Sequence, residues 1–153
     1  MRAAVITVST SLANGEGEDR SGPELVRQCE EAGLEVAHET VADDRDALKQ
    51  ALTRWCDQDD VRFVFTTGGT GLTHDDVTPE ATRAVVERDA PGFAEAMRVE
   101  GAKHTPLGIL TRGVSGVAGR TLIVNFPGSP RAIDQLFGVL APTLRHVTDT
   151  LRR

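Results

Sequence analysis

Apolar residues along the chain follow two alternating patterns, short continuous runs and positions at helical spacing. Continuous runs of β-branched and other apolar residues are typical of strands buried on both faces of a parallel sheet. Such runs predict strands at residues 3–8, 61–66 and 121–125, and a further strand is predicted at residues 34–41. The stretch 106–110 predicts a further, less apolar strand, and the glycine-rich segment 113–119 resembles a hairpin.

Between these runs, apolar side chains recur at the spacing that places them on one face of a helix. They predict helices around Leu25–Ala32, Leu48–Trp55, Ala81–Val85, Phe93–Met97, Ile133–Leu140 and Leu144–Leu151. Ser21 and Thr78 are predicted to cap the first and third helices. Asp43 or Asp44 is predicted to cap the second, because short polar side chains accept hydrogen bonds from the first helical N–H groups.

This alternation of strands and helices predicts the fold class. It is typical of an α/β protein, and we expect a single three-layer domain over residues 1–153. Its mainly parallel, doubly wound sheet would carry helices on both faces.

The net charge of the chain indicates which kinds of binding partner it can have. The 153 residues carry a net charge of -6, with 39% hydrophobic and 26% charged residues, as in ordinary globular proteins. An acidic chain lacks the basic surface that displaces counterions from nucleic acids, so we expect no nucleic-acid binding. A small anion is compatible with this charge, because a few backbone N–H groups can bind a phosphate within an acidic protein.

Cysteine placement and hydropathy indicate a cytoplasmic protein. Cys29 falls on an apolar helical stripe, which predicts a buried, reduced thiol rather than a disulfide with Cys56. No cysteine or histidine has a partner at metal-ligand spacing. No apolar run approaches the roughly 20 residues of a membrane helix, and the first residues lack a signal-peptide layout. We expect no contact with membranes.

Polar and glycine-containing loops follow the main predicted strands. Right-handed crossovers place such loops at one edge of the sheet, beyond the carboxyl ends of the strands, where open α/β folds bind ligands. The loops predicted to meet there are Ser9–Gly22, Ala42–Asp44, Thr66–Thr78 and Asn125–Ser129.

The third loop begins with a glycine turn, Thr67-Gly68-Gly69-Thr70-Gly71, directly after a predicted strand. Consecutive glycines can turn sharply and present backbone N–H groups to an anion. The turn is neither a Walker A loop nor the dinucleotide fingerprint, because Gly-Lys-Ser/Thr and GxGxxG spacing are both absent. Taken alone, it predicts either a phosphate site or a tight turn without a ligand.

Further motifs give the chain a family resemblance. Asp76 precedes Val-Thr-Pro-Glu-Ala-Thr at 77–82, Pro-Gly-Phe lies at 91–93, and Asp19–Pro23 forms part of the first loop. The strand at 121–125 leads into Pro-Gly-Ser-Pro at 127–130. Together with the glycine turn, these motifs resemble the MogA/MoaB molybdenum cofactor biosynthesis proteins and the G domain of gephyrin. The resemblance spans nearly the whole chain.

The resemblance implies a homotrimeric α/β protein that binds molybdopterin and contacts a molybdenum insertion protein. The enzymatic branch of the family transfers AMP from MgATP to the terminal phosphate of the pterin and releases pyrophosphate. The essential carboxylates of that branch fall on Asp43 and Asp76, either of which could hold Mg²⁺. The implied substrate-binding residues are Ser9, Ser21, Gly22, Thr67, Gly68, Gly69, Thr70, Gly71, Thr78, Asn125, Pro127, Gly128 and Ser129.

Each carboxylate also has a purely structural alternative. Asp43 could cap a helix, and Asp76 could bond to the backbone of its own loop. Asn125 could form a turn at a strand end instead of contacting a ligand. Arg112, beyond residues 106–110, could steer a phosphate or carry a solvated charge.

The sequence departs from the family pattern at Thr10, where many relatives have Asp, at Asp75, where a basic residue is common, and at Gly101, where the enzymatic branch often has Ser. Three functions are therefore open: a molybdopterin adenylyltransferase, a molybdopterin-binding carrier of the same fold, and a nucleotide-processing relative of the competence-damage family. The paired acids favour the enzyme, because a carrier has no need for two carboxylates facing a phosphate.

Overall fold

The structure is a computed structural model that describes residues 1–153. Its strands are β1 (Arg2–Val8), β2 (Glu35–Val41), β3 (Val61–Thr67), β4 (Arg88–Asp89), β5 (Ser115–Ala118) and β6 (Thr121–Phe126). Its α-helices are α1 (Thr10–Ala13), α2 (Ser21–Glu31), α3 (Arg45–Cys56), α4 (Thr78–Arg83), α5 (Gly92–His104), α6 (Pro130–Leu140) and α7 (Leu144–Leu151). Short 3-10 helices lie at Pro106–Leu110 and Ala141–Thr143.

The strands form one six-stranded sheet in the order β2-β1-β3-β6-β5-β4. The neighbours β2-β1-β3-β6 pair in parallel, whereas β5 pairs antiparallel with both β6 and β4. The predicted mainly parallel α/β sheet is confirmed. The segment 113–119 does form an antiparallel strand, as the hairpin-like pattern indicated, and it pairs with the strand that follows it.

Alternate side chains of the central strands enter two separate cores, one on each face of the sheet. From β1, Ala3 and Val5 pack in the core that contains α2, α5, α6 and α7 side chains. Ala4 and Ile6 from the same strand pack in the opposite core with α3 and α4 side chains. Helices therefore cover both faces, which confirms the three predicted layers.

Aromatic side chains stiffen the larger core directly below the predicted ligand edge. The rings of Phe65 and Phe126 meet edge to face with centroids 5.8 Å apart, and Phe137 stacks on Phe126 at 6.2 Å. Replacing a buried Phe by Ala typically costs about 3–5 kcal/mol. Because Phe126 immediately precedes the loop at 127–130, this packing fixes where that loop begins.

The stretch Pro106–Leu110 is a 3-10 helix, so the strand predicted at 106–110 is wrong. Pro106 lacks the N–H that a sheet ladder requires, and the Thr105 hydroxyl instead accepts a 3.3 Å hydrogen bond from Leu107 N. The apolar residues that suggested a strand lie at the surface, with Leu107 69% and Ile109 67% exposed.

Helix starts also differ from the prediction. Asp44 caps α3 through a 2.7 Å bond from Ala47 N, as one alternative expected. Ser21 and Thr78 do not cap, because each is already the first residue of its helix. At the start of α2, Asp19 accepts a 2.9 Å bond from Gly22 N instead. The polar loop after β1 contains the short helix α1, which is capped by Ser9.

Cys29 is buried and unpaired, as predicted, and Cys56 is also a free thiol. Burial raises the pKa of both thiols to about 12, with smaller contributions from neighbouring carboxylates. Both are therefore protonated at neutral pH and poor nucleophiles. None of the helices combines the length and the apolar character required to cross a bilayer.

Candidate active site

The predicted loops meet at the carboxyl edge of the parallel strands. Gly68 N donates a 3.2 Å hydrogen bond to the Phe126 carbonyl oxygen, and the Thr67 hydroxyl donates one of 2.9 Å to the Pro127 carbonyl. The first and second loops are joined by hydrogen bonds between Thr10 and Asp43. The topological argument from sequence is thus confirmed: residues far apart in the chain form one continuous rim.

The conformation of the turn requires glycine at positions 68 and 69. Gly68 and Gly69 have φ of 98° and 67°, in the left-handed region that other residues rarely adopt. A Cβ on Gly68 would lie 2.5 Å from the Val8 carbonyl oxygen, and one on Gly69 would lie 2.3 Å from the Thr78 hydroxyl. The turn is thus packed directly onto the end of β1 and the start of α4.

Two backbone N–H groups of this turn form no hydrogen bond within the protein. Gly68 N and Thr78 N are used within the protein, the latter in a 3.1 Å bond to the Gly69 carbonyl. The N–H groups of Gly69 and Thr70 donate to no protein atom. Adjacent free N–H groups in a turn of this kind form a concave site for an anion.

Arg112 holds the opposite side of the turn. Its Nε donates 2.7 Å to the Gly71 carbonyl, its Nη2 donates 2.7 Å to the Asp76 carbonyl, and its Nη1 pairs with Glu80 at 2.5 Å. The hydrogen bond and charge of Arg112 hold the pKa of Glu80 below its usual value, against the opposing effect of burial. Arg112 is therefore neither a free phosphate-steering group nor a solvated charge.

Asp76 lies beside the end of the turn. Its Oδ2 accepts hydrogen bonds from Thr73 N at 3.0 Å and from the Thr73 hydroxyl at 2.8 Å. Burial raises the pKa of Asp76, but the hydrogen bonds from Thr73 and Gly71 and the charge of Arg112 outweigh it and leave the pKa lowered. The expected bonding to its own loop is present. The same carboxylate also borders the site, since a Cβ on Gly71 would lie 2.7 Å from Oδ2.

Asp43 is not a helix cap, because Asp44 fills that role. Its Oδ2 accepts bonds from Thr10 N at 2.9 Å and from the Thr10 hydroxyl at 3.2 Å. Its Oδ1 accepts no hydrogen bond within the protein and would lie 3.4 Å from a Cβ on Gly69. Asp43 and Asp76 therefore border the same turn, at Gly69 and Gly71.

Asn125, which is predicted to contact a ligand, also forms hydrogen bonds that support the rim. Asn125 is 2% exposed, and its amide nitrogen donates 3.0 Å bonds to the hydroxyls of Thr66 and Thr82. Its oxygen accepts a 3.1 Å bond from Val114 N. Asn125 lies within β6 and connects it to β3 and α4, so the turn-former alternative is wrong, while its contact with a ligand stays a prediction.

Most of the other predicted substrate-binding residues near the turn are buried. Thr78 is fully buried, and its hydroxyl donates 2.9 Å to the Gly68 carbonyl. Thr67 is buried as well, Ser21 and Gly22 are buried at the start of α2, and Thr70 is 4% exposed. Ser9 and Ser129 cap α1 and α6 at the rim, each through a 3.3 Å bond.

Two cavities flank the rim. One of about 520 Å³ is lined by Pro127, Ser129 and residues from α5, α6 and the 3-10 helix, among them Met97, Leu107 and Leu136. The other, of about 530 Å³, includes Arg45, Thr73, Asp76 and Arg112. The first is only partly apolar. Sequence reasoning missed it because residues 106–110 were assigned to a strand.

Residues 4–146 match a family model described as a probable molybdopterin binding domain. The chain belongs to this family. It is 36% identical over 150 residues to a molybdopterin adenylyltransferase of Helicobacter pylori, covering 96% of this chain and 85% of that protein. It is 38% identical over 144 residues to the molybdenum cofactor synthesis protein cinnamon of Drosophila melanogaster, covering 93% of this chain but only 24% of the fly protein.

The fold of this molybdopterin-binding family member is shared with solved structures. The crystal structure of the molybdopterin biosynthesis enzyme MoaB from Thermus thermophilus matches it with a TM-score of 0.90 and 39% sequence identity. The match covers 98% of this chain and 95% of that chain. The predicted resemblance to the MogA/MoaB proteins is confirmed.

The three departures from the family pattern have different surroundings. Asp75 is a solvated charge, with its side chain 79% exposed next to the exposed His74. Gly101 does not require glycine, since an added Cβ would make only ordinary contacts, the nearest 3.6 Å from Gly108 Cα. Thr10 alone contacts a predicted catalytic residue.

Proposed function

We propose that this protein acts in molybdenum cofactor biosynthesis as a molybdopterin adenylyltransferase, which transfers AMP from MgATP to the terminal phosphate of molybdopterin. The observation that carries the proposal is the placement of two carboxylates, Asp43 and Asp76, beside a turn with two free N–H groups. The names of the relatives, including the Helicobacter pylori adenylyltransferase, support it.

The glycine turn is the proposed phosphate site. The free N–H groups of Gly69 and Thr70 can donate to phosphate oxygens without a basic side chain, which suits an acidic protein. The adjacent cavity of about 520 Å³ is within the usual size range of small-molecule sites. We assign it to the pterin, whose phosphate would then extend past Ser129 to the turn.

Adenylyl transfer forms a bond from a phosphate oxygen of the pterin to the α-phosphorus of ATP. The bond from that phosphorus to its bridging oxygen breaks, and pyrophosphate leaves with the electron pair. Transfer between two anions depends mainly on positioning and charge neutralisation. The magnesium of the MgATP substrate supplies that neutralisation.

The carboxylates fit a cation that arrives with the nucleotide. Mg²⁺ is commonly held by one or two carboxylates together with substrate phosphates, so no dedicated cage is needed. No group of three or more His, Cys, Asp or Glu side chains converges in the structure. Asp43 has a free Oδ1, and the lowered pKa of Asp76 keeps its carboxylate ionised at neutral pH.

A second function, a carrier that binds molybdopterin without catalysis, is favoured by one observation. Thr73 holds Oδ2 of Asp76 through two hydrogen bonds within the same loop, which a purely structural aspartate also requires. In a carrier, Asp76 would order the turn and take no part in transfer.

Turnover separates the two functions. The protein is incubated with molybdopterin and MgATP, and pyrophosphate release is measured for the parent, Asp43→Asn and Asp76→Asn. In the enzyme, each variant loses roughly a hundredfold or more in rate while pterin affinity is nearly unchanged. Pterin binding without pyrophosphate release by the parent would establish the carrier. Unchanged turnover in both variants would rule out the carboxylate mechanism.

We also propose a cytoplasmic homotrimer that delivers its product to a molybdenum insertion protein. In support of assembly, several large apolar side chains are exposed: Leu72, Val99, Leu107, Ile109 and Leu110. Exposed apolar patches commonly mark protein interfaces. Light scattering after size-exclusion chromatography gives the mass, and a monomer at micromolar concentration would refute the trimer.

A further inference from the structure

We propose that Thr10 is a positioning residue for Asp43, which holds one carboxylate oxygen so that the other faces the glycine turn. The inference rests on the proposed adenylyltransferase function. Thr10 carries no reactive group of its own and acts only through the neighbouring Asp43.

The contact between the two residues is reciprocal. Thr10 donates to Asp43 Oδ2 twice, from its backbone N at 2.9 Å and from its hydroxyl at 3.2 Å. In the other direction, Asp43 N donates a 3.0 Å bond to the Thr10 hydroxyl oxygen. One hydroxyl thus engages both the side chain and the backbone of Asp43.

Both partners are attached to fixed elements. Thr10 is the first residue of α1, and the preceding Ser9 donates a 2.9 Å backbone bond to the Val41 carbonyl at the end of β2. Asp43 lies between the end of β2 and Asp44, the cap of α3. The contact therefore fixes the carboxylate relative to two strand ends.

The consequence is an asymmetric carboxylate. Oδ2 is held by Thr10, whereas Oδ1 has no protein partner and points toward Gly69. A hydroxyl can donate to Oδ2 and accept from Asp43 N at the same time. An aspartate at position 10 could accept from Asp43 N but would repel the Asp43 carboxylate, whereas a neutral hydroxyl adds no negative charge beside it.

The test compares Thr10→Val, Thr10→Ser and the control Thr53→Val. Valine preserves the shape and backbone N–H of Thr10 but removes the hydroxyl, while serine restores it. Thr53, on the exposed face of α3, is a threonine outside the site whose hydroxyl donates to the Lys49 backbone carbonyl. Pyrophosphate release gives kcat and KM, and amide hydrogen exchange of Asp43 N–H reports the contact independently of activity.

We expect Thr10→Val to lower kcat by about tenfold or more, because small displacements of a catalytic group can cost up to about a hundredfold. The KM for molybdopterin should stay within about twofold, and the Asp43 amide should exchange about tenfold faster or more. Thr10→Ser should restore both values, and Thr53→Val should match the parent in both.

Three results would overturn the inference. If the parent is active and Thr10→Val has parental kcat, Thr10 does not position a catalytic carboxylate. If the parent itself releases no pyrophosphate, the proposed function fails, and with it a catalytic role for Thr10. The parent measurement distinguishes these cases. Unchanged exchange at Asp43 in Thr10→Val would show that the hydroxyl does not hold this loop.

Discussion

Arg112 donates through Nε to the Gly71 carbonyl oxygen at 2.7 Å, across 41 residues of sequence. The same guanidinium also bonds the Asp76 carbonyl and Glu80. The second Glu80 oxygen is buried without a partner, so Arg112 is the only side chain that hydrogen-bonds this carboxylate. One side chain thus fixes the end of the glycine turn, the loop beyond it and the first turn of α4.

We expect Arg112→Met to lower the free energy of unfolding by about 2–3 kcal/mol, because unpaired buried polar groups cost about 1–3 kcal/mol each. Arg112→Lys should recover only part of this, since an ammonium group cannot reproduce the planar fork. Urea denaturation measures both. Arg152→Ala, which removes an exposed ion pair, is the control and should change stability by less than about 1 kcal/mol. Parental stability of Arg112→Met would contradict the clamp.

Gly69→Ala should destabilise the turn in two ways, through backbone strain and through a steric clash of the added Cβ. At φ 67° an alanine is strained, and its Cβ would meet the Thr78 hydroxyl at 2.3 Å. We expect a loss of roughly 1–3 kcal/mol in stability and weaker pterin binding. Gly15→Ala is the matched control, because Gly15 has φ 79° but no atom within 4 Å of an added Cβ. Calorimetric binding by both variants checks this, and equal affinity would remove the turn from the phosphate site.

Asn125→Ala tests the structural role of a residue at the end of a strand in the site. The change leaves the hydroxyls of Thr66 and Thr82 and the N–H of Val114 without their partner. We expect about 2–4 kcal/mol of lost stability, given about 1–3 kcal/mol for each unsatisfied buried group. Asn14→Ala, at an exposed position, is the control. A normal unfolding curve combined with lost pterin binding would instead make Asn125 a ligand contact.

Local pattern sufficed for the strands but not for every residue of the site. The runs at 3–8 and 61–66 were predicted correctly because strands buried on both faces are mostly apolar along their length. Pro106–Leu110 was not, because its apolar residues lie at the surface, where sequence pattern does not distinguish a strand from a 3-10 helix.

Within the site, too, residues with a local sequence signal could be predicted and residues that depend on distant partners could not. The glycine turn could be predicted because it directly follows a strand, and the two aspartates because the motifs around them resemble those of the family. The role of Asn125 could not, because its amide partners lie 59 and 43 residues away. Thr73 offered a local signal, a hydroxyl residue three positions before an aspartate, which is typical of a side-chain turn.

Acid titration should reveal the ionised state of Asp76. Its pKa is lowered from 3.8 in the folded protein, so its carboxylate stabilises the fold fully above pH 3.8, and this contribution is lost as the pH falls through the lower, folded pKa. The asparagine of Asp76→Asn is uncharged at every pH, so it makes no such pH-dependent contribution to stability. We expect it to be less stable than the parent at neutral pH, with the difference shrinking below pH 3.8. Melting temperatures between pH 7 and pH 2 test this.

The control for that titration is the neighbouring Asp75→Asn, which removes an exposed carboxylate but keeps both hydrogen bonds from Thr73 to Asp76. Its stability should fall with acid as the parent's does. Because Thr73 donates to the ionised oxygen, Thr73→Val should reproduce part of the neutral-pH loss of Asp76→Asn. A difference between parent and Asp76→Asn that stays constant down to pH 2 would show that charge at Asp76 is not what stabilises the loop.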